Sequence, residues 1–248
     1  MDSIVCAREN YKSSAIAAAS SRFGKFGNEP LHDARAAKVE TNQAVEAMKT
    51  VWRESTTGTG LWESNQYQLY PWMLSFIKNL EYTATDVEAF SIAIAGFQYE
   101  KGFSGKAGIM LSALINNCRE DSFIIHTAHL AEPIHSLGFR NTKNIAVEGN
   151  VGFSVGERME GGSITVKGNA GTMVGDNMKG GVITLQGDAQ NYVGDYMEGG
   201  RIVVEGNAPF VGLGMVGGEI HVNGDYESIP PNFTSGKIFH REKLIVDK

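Results

Sequence analysis

Three histidines within ten residues of one another are the strongest candidates for chemistry in this sequence. They are His126, His129 and His135, and Cys118 precedes the first of them by eight residues. Imidazole exchanges protons near neutral pH and binds transition metals, so this group could form an enzyme site. The spacing H-x2-H-x5-H matches no zinc-binding pattern, and loop or interface histidines are the simpler interpretation. We therefore assign no metal ligands, and an enzyme site near these histidines stays as an alternative hypothesis.

Two glycine-containing motifs match signatures of catalytic or cofactor-binding turns. Gly152–Gly156 spells G-x-S-x-G, which would present Ser154 as a nucleophile if a strand led into a helix there. Gly212–Gly217 spells G-x-G-x-x-G, which binds a dinucleotide where it opens a helix. Both motifs lie inside a repeat that accounts for their glycines as turn residues. We therefore predict no catalytic residue and no cofactor.

A third motif, Gly102–Ala107, places Lys106 after two glycines and loosely resembles a phosphate-binding loop. It lacks the G-x-x-x-x-G-K-[ST] spacing, and Ala107 stands where a magnesium-binding hydroxyl is needed. Ser104 is predicted instead to cap a helix over Lys106–Asn117.

Composition and charge exclude several classes of protein. The 248 residues carry a net charge of −6 without a basic cluster, so binding to a nucleic-acid backbone is not expected. Two cysteines, Cys6 and Cys118, cannot form a disulfide framework or a four-thiolate zinc site. No segment has the ~20 apolar residues of a membrane span, and the first residues do not resemble a signal peptide. We expect a cytoplasmic protein whose partners are other proteins.

The second half of the chain is built from a repeat. Five short segments of alternating apolar and polar residues each end in a glycine followed by Asn or Asp, and they begin 19, 19, 19 and 18 residues apart. The copies are Asn144–Asn150, Ser163–Asn169, Val182–Asp188, Arg201–Asn207 and Glu219–Asp225. Alternation with a period of two indicates strands, and a fixed spacing near 20 residues indicates a solenoid of stacked coils.

The repeat predicts four internal ladders of apolar side chains, in which each coil supplies one residue to each ladder. They are Ile145, Ile164, Ile183, Ile202 and Ile220; Val147, Val166, Leu185, Val204 and Val222; Val155, Val174, Val193 and Val211; and Met159, Met178, Met197 and Met215. Each fully buried member should contribute roughly 1.5–3 kcal/mol. The segment Phe123–Thr127 and the echo of Val155–Arg158 at Leu137–Arg140 predict one degenerate coil before the first copy.

Turn chemistry explains the residues that separate the strands. The double glycines before each strand supply positive φ angles, and the Gly-Asx pairs are predicted to turn the chain by bonding their own backbone. The Asx residues are Asn150, Asn169, Asp188, Asn207 and Asp225. Calcium is a poorer explanation for them, because a nine-residue calcium repeat is absent and two of the five are charged.

These copies resemble the GXGXG domain, and Asp188–Ala208 is the closest stretch. This family includes the C-terminal domain of the glutamate synthase large subunit and the C subunit of formylmethanofuran dehydrogenase. The resemblance covers about residues 122–225. It implies a right-handed β-helix without a redox cofactor or catalytic residues of its own, which acts as a spacer or docking surface between catalytic modules.

The outward row of the strands is a candidate docking face. Its members are small or weakly polar: Ala146, Thr165, Thr184, Val203 and His221. Beside this row, Glu148 and Lys167 are predicted to pair across coils. Flat solenoid faces of this kind commonly bind other proteins.

The first half is predicted to be helical. Asp33 and Thr85 are candidate N-caps, and Glu88 would complete a capping box with Thr85. The predicted helices are Ala34–Val51, Pro71–Tyr82, one that follows Thr85, and Lys106–Asn117. Tyr67, Tyr70, Trp72 and neighbouring aromatic residues are expected to form core or an interface.

The expected fold class is α+β. A helical domain or cap over 1–120 precedes a right-handed parallel β-helix of about five to six coils over 121–225, and 226–248 form a tail or cap in which Ile238–Phe239 and Leu244–Val246 cover the open end. The leading functional hypothesis is a non-catalytic accessory or assembly subunit in a larger glutamate-synthase-like or formylmethanofuran-dehydrogenase-like complex. The alternatives are an enzyme at the helix–solenoid junction and a self-assembling structural protein.

Overall fold

A computed structural model describes residues 42–55 and 66–248. These residues form helices followed by an eight-stranded sheet in a β-solenoid of about six turns, so the predicted α+β class is confirmed. Cys6, the candidate cap Asp33 and residues 34–41 of the predicted first helix lie outside the described residues.

Four α-helices and one short 3-10 helix precede the sheet in the described residues. They are α1 (Gln43–Glu54), α2 (Gln66–Ile77), α3 (Ala84–Ala93), the 3-10 helix (Ile94–Phe97) and α4 (Phe103–Asn117). None of these is both long and apolar enough to cross a membrane.

The predicted helix Ala34–Val51 is interrupted at Asn42 and ends later than predicted, while its predicted start lies outside the described residues. Asn42 has an extended backbone, and its side-chain Oδ1 accepts hydrogen bonds from the backbone N–H groups of Ala44 and Val45. This N-cap interrupts the predicted helix, so α1 begins at Gln43 and continues to Glu54.

The next two predicted helix starts are wrong. Pro71 lies inside α2 rather than at its first turn, where its missing N–H costs one backbone hydrogen bond. Thr83, not Thr85, is the N-cap of α3, and Asp86, not Glu88, completes the capping box. Both pairs have the correct spacing of three residues, so the local pattern alone does not distinguish them.

Helix α4 begins earlier than predicted, at Phe103, after Gly102 in a left-handed conformation with φ 78°. Ser104 therefore lies within the helix and not at its cap. Lys106 is buried, and its Nζ donates to the Trp52 carbonyl oxygen at 2.6 Å. Burial lowers its pKa to about 8. Lys106 is thus a core residue of the helical region and does not belong to a phosphate-binding loop.

The strands stack in the order of the sequence. They are β1 (Ser122–His126), β2 (Asn144–Glu148), β3 (Ser163–Val166), β4 (Val182–Leu185), β5 (Arg201–Val204), β6 (Glu219–Val222), β7 (Lys237–His240) and β8 (Lys243–Asp247). Neighbouring strands from β1 to β7 are parallel, and β8 returns antiparallel to β7.

The four predicted ladders are confirmed. Partners in register include Ile145 with Ile164 and Val147 with Val166, and every ladder residue is 2% exposed or less. Phe123 and Ile125 of β1 extend two of the ladders at one end, and Ile238 of β7 extends one at the other. The core therefore runs from β1 to β7 without a change of register.

The Asx side chains make hydrogen bonds between coils rather than the predicted bonds to their own backbone. In the first four of these residues, the side-chain Oδ1 accepts a hydrogen bond from the backbone N–H of the equivalent residue in the next coil, at 2.7–2.8 Å. The chain of bonds runs through Asn150, Asn169, Asp188, Asn207 and Asp225. These side chains join coils, and do not bond their own backbone. Asn and Asp serve equally because both provide the acceptor oxygen.

Two kinds of glycine fill the corners for different reasons. Gly181 and Gly200, each the second glycine of a pair, have φ near +90°, as predicted for a turn. Gly168 and Gly187 precede the Asx residues and lack positive φ. A Cβ there would overlap the side-chain oxygen of the previous coil's Asx residue, so these positions are glycine because of close approach.

Different elements lie at the two ends of the solenoid. At the first coil, α3 packs against β1, and Ser91 Oγ of α3 accepts the backbone N–H of His126 at 3.0 Å. At the other end, the hairpin turn of Arg241 and Glu242, both with positive φ, sends β8 back along β7. Ile238–Phe239, predicted to cover the end, lie in β7 itself, and Leu244–Val246 lie in β8, the last strand of the sheet.

Candidate functional site

The structure places the three histidines in separate surroundings. His126 Nε2 lies 2.9 Å from Glu88 Oε1, and His129 Nε2 lies 3.2 Å from the Ile92 carbonyl oxygen. His135 Nδ1 accepts the backbone N–H of Phe153 at 3.3 Å, and its ring stacks on Phe153. Burial lowers the pKa of His135. Each histidine thus has its own structural partner.

No metal centre forms from these side chains. Across 42–55 and 66–248, no three His, Cys, Asp or Glu residues come together in a way that could hold a metal ion. Cys118 is a buried free thiol whose Sγ lies 3.9 Å from the Tyr82 carbonyl oxygen. It therefore packs with the helical region and does not meet the histidines.

The motif serine and the dinucleotide-like motif both lie in solenoid corners. Ser154 is buried with φ 59°, and Met173 and Tyr192 hold the same conformation in the following coils. No helix follows Ser154 or Gly212, and the chain passes to β3 and β6 respectively. A left-handed backbone here is a property of the corner and not the strain of a nucleophile elbow.

The outward row of the sheet is continuous and longer than predicted. Strand pairing aligns Ile124, Ala146, Thr165, Thr184, Val203, His221 and Phe239. The rings of His221 and Phe239 stack with centroids 4.2 Å apart. Beside the row, Lys167 Nζ pairs with Glu148 Oε1 at 2.7 Å, as predicted. The result is a weakly polar strip that crosses seven strands.

A second feature is a cavity of about 440 Å³ where α2 meets the corner of the first coil. Its lining is mainly aromatic and apolar, with two guanidinium groups. The lining residues are Tyr67, Tyr70, Pro71, Leu74, Phe139, Arg140 and Arg158. We call it the junction cavity.

Helix α4 holds the buried floor of the junction cavity in place. Ser112 Oγ accepts the backbone N–H groups of Gly138 and Phe139 at 2.9 and 3.2 Å. Asn116 Nδ2 donates to the Phe139 carbonyl oxygen at 3.1 Å. Three hydrogen bonds from one helix therefore hold the corner backbone that carries the Phe139 ring, which is 1% exposed.

The two tyrosines of α2 stand against this floor. The rings of Tyr67 and Tyr70 meet Phe139 edge to face, with centroids 5.8 and 5.1 Å away. Such pairs add about 0.5–1.5 kcal/mol beyond burial, so they help to fix the angle of α2. The aromatic residues predicted as core or interface here form one wall of a cavity.

The two arginines come from equivalent corners of successive coils. Arg140 and Arg158 have φ of 54° and 53°, so the repeat directs both side chains in the same way. The Arg158 guanidinium carbon lies 4.3 Å from the Tyr67 ring centroid, and that of Arg140 lies 5.8 Å from the Phe139 ring centroid. Among the described residues, neither guanidinium has a carboxylate oxygen within 4.0 Å.

A column of carboxylates runs beside the cavity through three coils. Glu157, 0% exposed, accepts the Tyr67 hydroxyl at 2.6 Å. Burial and this bond raise the pKa of Tyr67 to about 12. Burial, with the charges of Glu157 and Asp195 above and below it, raises the pKa of Asp176 to about 6. Burial also raises the pKa of Asp195.

The sequence contained a signal for this cavity. The corner of the first coil reads Leu137-Gly-Phe-Arg140 where the next reads Val155-Gly-Glu-Arg158. The arginine is retained while Phe139 replaces a buried carboxylate. That single exchange changes an acidic column into an aromatic floor at the coil that faces α2.

No family model and no curated protein matches this chain. The resemblance to the GXGXG domain therefore rests on the residues of the repeat.

Proposed function

We propose that the chain is a non-catalytic accessory subunit that docks a catalytic protein on the outward row of its solenoid. The partner class that follows from the resemblance is a catalytic subunit of a larger oxidoreductase or formyl-transferring complex. The observation that carries this proposal is the strip of seven register-aligned side chains from Ile124 to Phe239.

The chemistry of the strip suits a protein partner. Thr165, Thr184 and Val203 are β-branched, stiff at χ1 and only half-buried, so they lose little conformational freedom when covered. The aromatic pair of His221 and Phe239 at one end could anchor a partner side chain, as aromatic residues do in many interfaces. Ion pairs such as that of Glu148 and Lys167 would form a polar rim.

The experiment is a gentle purification of the tagged protein from its own cells, followed by mass spectrometry of proteins that accompany it. Thr184→Arg places a long charged side chain at the centre of the strip and should remove the specific partner. Thr172→Arg makes the same exchange on a segment outside the strands and should retain it. Retention by Thr184→Arg would contradict docking on this face.

The native mass of the purified protein and the identity of its partners distinguish the accessory role from the two alternative functions. A hetero-complex containing a flavin, iron–sulfur or metal-dependent enzyme supports the accessory role. A homo-oligomer alone would support the self-assembling alternative. A monomer with hydrolytic or transfer activity that His135→Ala abolishes would favour the enzyme alternative.

A further inference from the structure

We propose that the junction cavity binds a small organic anion with a flat apolar body, of the aromatic carboxylate class, whose charged group lies between Arg140 and Arg158. This inference is independent of the docking proposal, because no residue of the outward row lines the cavity. It rests on the shape of the cavity, on its charge and on one available hydrogen-bond donor.

The walls of the junction cavity favour a flat apolar body. Three aromatic rings, a proline and a leucine supply most of its lining. The Phe139 backbone is held by hydrogen bonds to Ser112 and Asn116 of α4. Its ring is held by packing against Tyr67 and Tyr70. A preformed aromatic floor of this kind binds flat ligands without reorganisation.

The charge of the junction cavity favours an anion. The described part of the chain provides no ion pair within 4.0 Å for Arg140 or Arg158, whereas Arg201 and Arg241 both have one. Three carboxylates, those of Glu157, Glu160 and Asp176, lie near the cavity, but none of them lines it. Glu157 is fully buried and accepts the Tyr67 hydroxyl. Guanidinium groups bind carboxylates through paired N–H donors.

Tyr70 supplies a further donor. Asn116 Nδ2 donates both to the Phe139 carbonyl oxygen and to Tyr70 Oη, at 3.1 and 2.9 Å. Since a carbonyl can only accept, the amide orientation is settled, and Tyr70 Oη accepts from Asn116. The Tyr70 hydroxyl proton has no acceptor among the described residues and is free to bind a ligand oxygen. Burial raises the pKa of Tyr70, so this proton stays in place at neutral pH.

The volume limits the size of the ligand. About 440 Å³ lies at the small end of the range for ligand sites, roughly 300–1,000 Å³, and a fused two-ring carboxylate fits it. The ligand class is therefore a small aromatic acid.

The test is isothermal titration calorimetry of the whole protein with 2-naphthoate, naphthalene-2-carboxamide and acetate. We expect 2-naphthoate to bind at one site, the neutral carboxamide at least about tenfold more weakly because it loses charge-assisted hydrogen bonds, and acetate not measurably. Equal binding of acid and amide would show an apolar cavity without anion recognition. Absence of saturable binding by 2-naphthoate at millimolar concentration would overturn the proposal.

Substitutions of the two arginines test whether 2-naphthoate binds in the junction cavity. Arg140→Gln with Arg158→Gln should weaken 2-naphthoate binding at least about tenfold and leave carboxamide binding unchanged. Arg201→Gln removes the same charge from a distant coil and should have no effect. Equal weakening by Arg201→Gln would show nonspecific attraction by positive charge. The acid–amide comparison on the unaltered protein decides the matter even if the double variant does not fold.

Discussion

Val174 and Trp52 are both completely buried, yet their surroundings differ in kind. Val174 packs in a ladder whose other members, Val155 and Val193 among them, occupy the same position in neighbouring coils. Trp52 stacks on Phe97 and meets Phe103, at centroid distances of 5.2 and 5.7 Å, and none of these residues has a counterpart elsewhere in the chain. The solenoid buries its apolar side chains in one arrangement that every coil repeats. The helical region buries Trp52 in an arrangement that does not repeat.

Because of this difference, the stability of the two regions should respond differently to core substitutions. In a stack of coils, each coil contacts only its neighbours, so stability is approximately a sum of local terms. In the helical region, one aromatic cluster joins several helices and must form as a whole. Substitutions in the two regions can test this contrast, and the largest effects come from their cores.

Val174→Asp should cause the largest loss, about 4 kcal/mol or more, because it buries a charge in the middle of the third ladder. The measurement is thermal unfolding followed by circular dichroism in the strand region. Val216→Asp, at a position 49% exposed, is the control and should leave Tm nearly unchanged. An unaltered Tm for Val174→Asp would disprove the ladder.

Trp52→Ala should cost about 3–4 kcal/mol, since it removes the largest fully buried side chain of the helical region. Hydrogen exchange should show loss of protection in α1 and α4, while β4 to β6 stay protected. Trp72→Ala, which truncates a half-buried ring, should have a smaller effect. Equal loss of protection in strands and helices would show that the two regions unfold as one unit.

Asn169→Ala should cost about 1 kcal/mol, because the backbone N–H of Asp188 loses the acceptor that joins two coils. Asn169→Asp keeps the acceptor oxygen and should restore most of the lost stability, as Asp188 already serves in this way. Chemical denaturation of both variants makes the comparison. A loss as large in Asn169→Asp as in Asn169→Ala would remove the Asx ladder as a source of stability.

Asp176→Asn should have the smallest effect, a rise in Tm of about 1–2 °C at pH 7.5. The pKa of Asp176 is raised to about 6 in the folded protein, above its ordinary 3.8, so the folded state binds the proton more tightly. Stability from this group is therefore present at low pH and is lost as pH rises from about 4 to 6. The advantage of the Asn variant should diminish below pH 6, and a gain that does not vary with pH would contradict this explanation.

The same contrast explains what the sequence could predict. Ladders such as Ile164, Ile183 and Ile202 were predictable because equivalent residues recur at a fixed spacing, and each copy supports the assignment of the others. Thr83 and Thr85 each begin a correct capping pattern, and local chemistry alone cannot decide between them. Pro71 inside α2 was missed because tertiary packing overrode its preference for a first turn.

The contacts between coils were the least predictable part of the repeat. That Asn169 bonds the next coil, and that Gly168 exists to let the coils approach, depends on how turns stack rather than on the local turn. The junction cavity depends on α2 lying over Phe139, a contact between residues about 70 positions apart. In the sequence, the only sign of the junction cavity is that Phe139 stands where the next coil has the carboxylate of Glu157.

The number of repeats also determines the length of the solenoid. The fourth interval has 18 residues instead of 19, and the shortfall falls near Pro209, in a corner, while β5 and β6 keep their register. The stack thus tolerates changes in its corners and adds length in whole coils of ~4.8 Å. Duplication of residues 169–187 would extend the outward row by one rung and leave α3 and β8 at the two ends. The length of the sheet is therefore set by how many times a 19-residue unit is copied.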